Sequence, residues 1–431
     1  MPEDTKPLFP PDFLWGASTA GHQVEGGLHD QWTVWELHNA AELARTAEHR
    51  LNRLAIWPEI KNQAQKPDNY VSGESTQHFN RYETDFKLLK ELNLNAFRFS
   101  IEWSRIEPQQ GRFDQEAINH YRKYLSRLKL HNIEPVMNIW HWTMPVWFAE
   151  MGGFKYRRNL KFFERFVELV ARELTDGVTY VLTINEPNVY TSYGYLLPEP
   201  VSGVRWPPEE KSPLAASRVY LNLLSAHRRA YKILKRHKPS LQIGMASNLA
   251  NIQAKRPHNI LDEEITQLMR YFWDWWFLKH SRRQQDFIGL NYYFTDYYRF
   301  KFPVLPDDPK MPASDMGWYM EPEGIYPLLL RAWAHYKKPI IITENGVADR
   351  HDEYRRWWIE ETIVAMERAL SEGVKIKGYF HWSLLDNFEW SYGWWPNFGL
   401  VEVDRSDKMK RTIRPSAKWL AGRIKKLSGP K

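Results

Sequence analysis

The sequence predicts an α/β fold, a (β/α)8 barrel in one domain over residues 1–431 with long loops at the C-terminal face of the sheet. Three observations carry this expectation. Short β-branched or aromatic runs alternate with amphipathic segments from one end of the chain to the other, the pattern of a parallel sheet covered by helices. Eight such runs occur, the number that closes a barrel in a chain of 431 residues. No Pro/Gly/Ser-rich stretch is long enough to be a linker, and no repeat period is visible. A doubly wound open sheet is the competing arrangement. It is disfavoured because no Gly-rich phosphate loop follows the first run: Gly16 stands alone and Gly26-Gly27 comes too late.

The strand candidates, in order, are Phe13–Ala17, Ala96–Ile101, Glu134–Ile139, Thr179–Ile184, Gln242–Ala246, Phe287–Leu290, Ile340–Thr343 and Lys377–His381. Each is a short apolar run bounded by turn-forming residues, which reads as a buried strand. Between them, apolar residues recur at helical spacing over Tyr82–Glu91, Glu116–Leu130, Leu160–Glu173, Pro213–His237, Asp262–His280, Tyr354–Glu372 and Ser416–Lys426. Two connections are unusually long. Residues 27–78 join the first two strands, and residues 295–325 precede a seventh helical turn. Loops that follow strands build the rim of a barrel's mouth, so both are candidate walls of a substrate cleft.

Composition narrows the class. The chain is 43% hydrophobic and 26% charged, enough for a sizeable core. Aromatic residues reach 15%, including 21 Trp, which suits either bulky outer helices or the packing of pyranose faces on rings. Formal net charge is +7. Lys and Arg are interleaved with Asp and Glu, so no nucleic-acid partner is expected. The basic tail from Arg423-Ile424-Lys425-Lys426 reads as a solvated helix end. With no Cys, disulfides, thiolate catalysis and Cys-based metal sites are excluded. The segment Met1-Pro2-Glu3-Asp4-Thr5-Lys6 has no apolar core of a leader, and no stretch is long enough to span a bilayer. A cytoplasmic protein without a membrane partner is therefore expected.

Two glutamates carry most of the chemical information. Glu186 lies in Thr183-Ile184-Asn185-Glu186-Pro187 and Glu344 in Ile342-Thr343-Glu344-Asn345-Gly346. Each falls where a buried strand, the fourth or the seventh, gives way to a turn marked by Pro or Gly. In a barrel both point into one mouth despite their separation in sequence. Paired carboxyls so placed are the equipment for cleaving a glycosidic bond, at about 5–5.5 Å apart with retention or about 6.5–9.5 Å with inversion. Other polar and aromatic residues gather at strand ends: His22 and Gln23, Arg98, His141 and Trp142, Asn291 to Tyr293, and Trp382, Glu389 and Trp390. Singly, each reads equally well as structural; their convergence on one face favours a site.

These segments resemble glycoside hydrolase family 1 β-glycosidases. The resemblance runs from Phe13-Leu14-Trp15-Gly16-Ala17 through Arg98-Phe99-Ser100-Ile101-Glu102-Trp103-Ser104-Arg105, Asn185-Glu186-Pro187, Gly289-Leu290-Asn291-Tyr292-Tyr293 and Ser314-Asp315-Met316-Gly317-Trp318. It continues through Thr343-Glu344-Asn345-Gly346 to Trp382-Ser383-Leu384-Leu385-Asp386-Asn387-Phe388-Glu389-Trp390, covering nearly the whole chain. It implies an exo-β-glycosidase of β-glucosidase type, working by double displacement without cofactor or metal. Glu344 would be the nucleophile and Glu186 the acid/base. Arg98, Tyr293 and Asn291 would support them, and Asn185 would contact the sugar 2-hydroxyl. Gln23, His141, Glu389 and Trp390 would bind the glycone, Trp382 would stack on it, and Phe398 would wall its C6 side.

Further expectations follow from the resemblance. Glu389 stands where relatives that cleave 6-phosphoglycosides carry small and basic residues, so an unphosphorylated glycone is expected, because a buried carboxylate would repel a phosphate. Glucose fits best, with galactose or fucose also allowed. Asn188 replaces the aglycone-stacking Trp of many bacterial and plant members and matches archaeal-type ones. The stretch from Tyr195 to Ser212 also departs from the common pattern. Trp142, Trp318 and Tyr319 either line the aglycone side or pack the loops. The implied partners are small oligosaccharides or aryl and alkyl β-glycosides, and assembly into a homo-oligomer through outer helices is open. A transglycosidase sharing the same intermediate and a non-catalytic sugar binder are the alternatives. Intact motifs around both glutamates weigh against the second. His residues are dispersed with no HExxH pair, which weighs against a metal-dependent hydrolase.

Overall fold

The computed structural model describes residues 9–197, 204–300, the backbone of 302–303, and 311–428. The expectations placed on Met1 to Lys6, and on parts of the Tyr195–Ser212 and 295–325 stretches, fall partly or wholly outside these residues. Eight strands form a closed, all-parallel barrel. They are β1 (Leu14–Ser18), β2 (Ala96–Ser100), β3 (Glu134–Asn138), β4 (Tyr180–Asn185), β5 (Gln242–Asn248), β6 (Ile288–Tyr292), β7 (Ile340–Asn345) and β8 (Ile376–Trp382). Each pairs with its sequence neighbours, and β1 closes onto β8 with Gly16 opposite Phe380 and Ser18 opposite Trp382. A Cβ on Gly16 would lie 2.4 Å from the Phe380 ring, so the close approach at the seam requires glycine.

Every expected strand is present. Strands β4 to β8 run one or two residues further at their C-terminal ends than the apolar pattern indicates. The added residues are Asn185, Ser247-Asn248, Asn291-Tyr292, Glu344-Asn345 and Trp382. Most are polar and buried, and a pattern based on hydrophobicity stops short of them. Below them the bore is packed by one apolar layer to which all eight strands or their first turns contribute, including Leu14, Val136, Leu182, Ile341 and Phe380. The barrel is therefore a filled core with its polar groups held at one end.

Helices pack around the sheet on stripes that repeat every three to four residues. Leu160–Glu173 buries Leu160, Phe163, Phe166, Val167 and Val170 and leaves charged residues outside. Gln115–Leu130 starts at Asp114, whose side chain accepts from the Glu116 and Ala117 amides. Pro213–His237 starts at Ser212, which caps the Ala215 amide, with Pro at the first helical position. The seventh turn is the helix Ile325–Tyr336. The expected helix over 262–280 is interrupted: a π-helical stretch, Arg270–Trp275, separates Ile260–Met269 from Trp276–Ser281. Residues 27–78 are helical rather than an open loop, with helices at Gln31–Arg45, Ala47–Leu51 and Trp57–Ala64. No helix among the described residues is long and apolar enough to cross a membrane.

Candidate active site

Both glutamates sit at irregularities of the sheet. The register of β4 on β5 shifts between Leu182 and Asn185, and that of β7 on β6 between Ile342 and Glu344. Such bulges re-aim side chains at the rim of a barrel. Glu186 follows directly in the left-handed region, at φ 40° and ψ 63°, and opens the short helix Pro187–Thr191. The register then sets Asn291 opposite both Asn248 on β5 and Glu344 on β7. Three strands thereby bring their polar ends into one layer.

A continuous chain of hydrogen bonds joins the carboxyls. Asn291 Nδ2 donates to Glu186 Oε1 at 2.8 Å and to Asn185 Oδ1 at 3.2 Å. Arg98 Nη2 donates to the same Asn185 oxygen at 2.7 Å, while its Nη1 pairs with Glu344 Oε1. Tyr293 donates its hydroxyl to Glu344 Oε2 at 2.6 Å. Thr343 Oγ1 donates to Asn291 Oδ1 at 2.6 Å and so fixes which way that amide faces. Asn248 Nδ2 adds a second donor to Glu186 Oε1 at 3.1 Å.

The two acids sit in different surroundings. Glu344 is held by a guanidinium and a phenol hydroxyl, one on each oxygen. Glu186 is pushed up to about 8, chiefly by burial and then by the negative charge of Glu344. The amides of Asn291 and Asn248 and the charge of Arg98 pull in the other direction. Burial, and then the charges of Glu344 and Glu186, hold the Tyr293 hydroxyl well above its usual range, so it stays a donor. His141 is kept well below its ordinary value by burial and by the charges of Arg98 and His22. Its neutral ring lies between Asn138 and Asn185, 3.2 Å from each amide nitrogen.

Glu186 and Glu344 open into one pocket of about 130 Å³. Gln23, His141, Trp382, Glu389, Trp390 and Phe398 line it, as do Trp142, Trp318 and Tyr293. Gln23 Nε2 donates to Asn387 Oδ1 at 2.9 Å, to the Phe388 carbonyl at 2.8 Å and to Glu389 Oε2 at 3.3 Å. Its buried Oε1 has no partner, leaving an acceptor in the wall. Glu389 is raised to about 8 by burial and by the Glu344 charge, against the Gln23 hydrogen bond. Trp142 and Trp390, like Glu186, hold a positive φ. Such residues cost roughly 1–3 kcal/mol each and persist where surrounding structure imposes them.

Arg98 and Asn291 sit beneath the pocket and reach it through the carboxyls, whereas Asn185 borders it beside the lining residue His141. Tyr319 does not line it, although Trp142 and Trp318 do. The excursion 27–78 supplies none of the lining, so it is not a cleft wall. Instead it braces one. His22 Nδ1 lies 2.9 Å from Asp30 and its Nε2 2.6 Å from Glu36, while its ring stacks on Trp390 at 5.3 Å with an interplanar angle of 3°. The connection at 295–325 is a wall, through Met316 and Trp318. Sequence reasoning missed Asn248, Tyr193, Trp206 and Trp273. Trp273 Nε1 donates to Asn248 Oδ1 at 3.2 Å, orienting the amide that reaches Glu186. An Asn closing β5 was the one available signal, and it gains meaning only from the register.

Comparison with known proteins agrees with the class that barrel and pocket define, the glycoside hydrolases. The model of glycosyl hydrolase family 1 matches residues 5–283 and 278–428, and the chain belongs to that family. The chain is 30% identical to β-glucosidase A of Thermotoga maritima, over 97% of this chain and 98% of that one. It is 28% identical to a β-galactosidase of Sulfolobus acidocaldarius, over 95% and 93%. The solved structure of a β-glycosidase from Pyrococcus horikoshii superposes with a TM-score of 0.82 at 32% identity, covering 97% of this chain and 95% of that one.

Proposed function

We propose that the protein is a retaining exo-β-glycosidase that removes unphosphorylated glucose-type sugars, with galactose and fucose as further glycones, from short oligosaccharides or aryl and alkyl β-glycosides. One observation carries the assignment of roles: Glu186, pushed up to about 8, shares a hydrogen-bonded layer with a Glu344 ion-paired to Arg98. A protonated acid and an ion-paired carboxylate lining one pocket are the pair that double displacement uses.

In the first step a Glu344 oxygen attacks the anomeric carbon. The bond to the leaving oxygen breaks as Glu186 delivers its proton there, giving a glycosyl ester and a free alcohol. Esterification removes the Glu344 charge, and with it the repulsion that held the proton on Glu186. Glu186 is then a carboxylate, takes a proton from water, and the hydroxide adds to the anomeric carbon as Glu344 leaves. Arg98 and Tyr293 stabilise Glu344 before and after. Asn185, held by Arg98 and Asn291, is set to meet the 2-hydroxyl. Gln23 Oε1 and Glu389 receive further sugar hydroxyls, His141 and Trp390 add to the glycone wall, Trp382 supplies the stacking face, and Phe398 closes the C6 side. Tyr193, Trp206 and Trp273 give the outer pocket an apolar aglycone side. A cytoplasmic setting is part of the proposal.

The test is turnover of a nitrophenyl β-glucoside. Glu344→Ala is expected to lower kcat by about a thousandfold or more, the scale on which loss of a covalent nucleophile acts. Added azide should restore part of the rate as a glycosyl azide. A variant that keeps wild-type turnover would remove Glu344 from the role.

A further inference from the structure

A second hollow, of about 550 Å³, lies on the outside of the barrel between the C-terminal half of the helix Pro213–His237 and residues 279–284. That helix ends just before β5 begins, and residue 284 comes just before β6. The hollow therefore sits toward the N-terminal end of the strands, away from the mouth that holds Glu186 and Glu344. Its lining is Gln284 and six basic side chains, Arg228, Lys232, Lys279, His280, Arg282 and Arg283. No carboxylate lines it.

Basic residues beside the hollow are neutralised, and those facing it are not. On the same helix Arg229 pairs with Glu164, Lys235 with Asp286 at 2.8 Å, and Arg236 with Glu168. Arg228 donates instead to the His280 carbonyl, and Lys279 lies over the Tyr271 ring at 5.1 Å. Neither these two nor Lys232, Arg282 or Arg283 meets a carboxylate among the described residues. A concave cluster of unneutralised cations focuses positive potential and is relieved by an anion. Guanidinium forks match phosphate oxygens two at a time, and the lysines add point charges. The charges converge on one hollow and do not track along a groove with stacking rings, which favours a compact anion over a nucleic-acid strand.

We propose that this hollow is a binding site for a multiply charged phosphate group, held chiefly by Arg228, Lys232, Arg282 and Arg283 and separate from the glycoside pocket. The phosphate comes either from a small soluble ligand or from a lipid headgroup. The full chain would be titrated with inorganic pyrophosphate in a calorimeter at low salt and, separately, sedimented with vesicles containing phosphatidic acid, whose headgroup is a phosphomonoester able to carry two charges. The test variants are Lys232→Glu and the double variant Arg282→Glu/Arg283→Glu, all at exposed positions. Lys87→Glu/Lys90→Glu, also exposed, makes the same charge change as the double variant elsewhere. One saturable site is expected, weakened about tenfold or more by the test variants and unmoved by the control, as loss of charge-assisted bonds requires. Pyrophosphate binding alone identifies a soluble ligand, and vesicle binding alone, through the same residues, a headgroup. No saturable binding to either probe, or equal weakening by the control pair, would overturn the proposal. So would competition by duplex DNA at these residues in the absence of pyrophosphate binding.

Discussion

Glu186 combines a strained backbone, complete burial and two amide donors, and each has a separate consequence. The left-handed turn aims the carboxyl into the pocket, burial raises its affinity for a proton, and Asn291 and Asn248 moderate that rise. The catalytically competent form at this position is the protonated one. The rate on a nitrophenyl glycoside, read as kcat/KM, should therefore hold at neutral pH and fall as pH rises through about 8. Removing a donor that favours the carboxylate must raise the proton affinity further, so Asn248→Ala should move the alkaline limb upward. A pH–rate profile of that variant checks the sign, and a limb that moves down would show that Asn248 acts otherwise. At this scale the sequence was partly legible. Both glutamates stand in motifs with Pro or Gly beside them, and Arg98 and Tyr293 could be assigned through resemblance. Asn248 could not, because a single Asn after an apolar run carries no pattern of its own.

Elements connect these residues in ways that hydrophobic periodicity does not record. Strands β4 to β7 extend past the apolar pattern at the mouth because their last residues are mostly polar, several of them hydrogen-bonded to one another, and β8 adds Trp382 to the pocket wall. The 27–78 excursion shows a further gap. Its length suggests a cleft wall, but its helix Gln31–Arg45 lies behind Trp390, meeting it through Trp32 and holding His22 through Glu36. Burial acts to strip the proton from His22, yet Asp30 and Glu36 outweigh it and raise the ring well above its usual range. Glu36 also accepts from the Ser72 amide and hydroxyl, at 2.8 and 2.7 Å, tying in the far end of the excursion. His22→Phe keeps a ring against Trp390 and strands two buried carboxylates. It should cost about 3–5 kcal/mol of stability, the usual result of breaking a buried ion pair. Thermal unfolding checks this as a lowered Tm. If Trp390 is positioned through this clamp, KM should rise more than kcat falls. An unchanged KM would restrict His22 to holding the fold.

The whole molecule supplies what neither residues nor elements can, the closure that sets the fourth and seventh strand ends around one mouth. Its class was the most legible feature, since eight apolar runs alternating with amphipathic segments leave few other arrangements. The aromatic excess divides between the pocket and the packing of outer helices, a division that composition alone leaves undecided. The central claim is that Glu344 and Glu186 act in turn on one anomeric carbon, so two displacements restore its configuration. The direct measurement is proton NMR of the first sugar released from an aryl β-glucoside, recorded before mutarotation. The β-anomer is expected to appear first and to decay slowly toward equilibrium, whereas the α-anomer as first product would contradict double displacement.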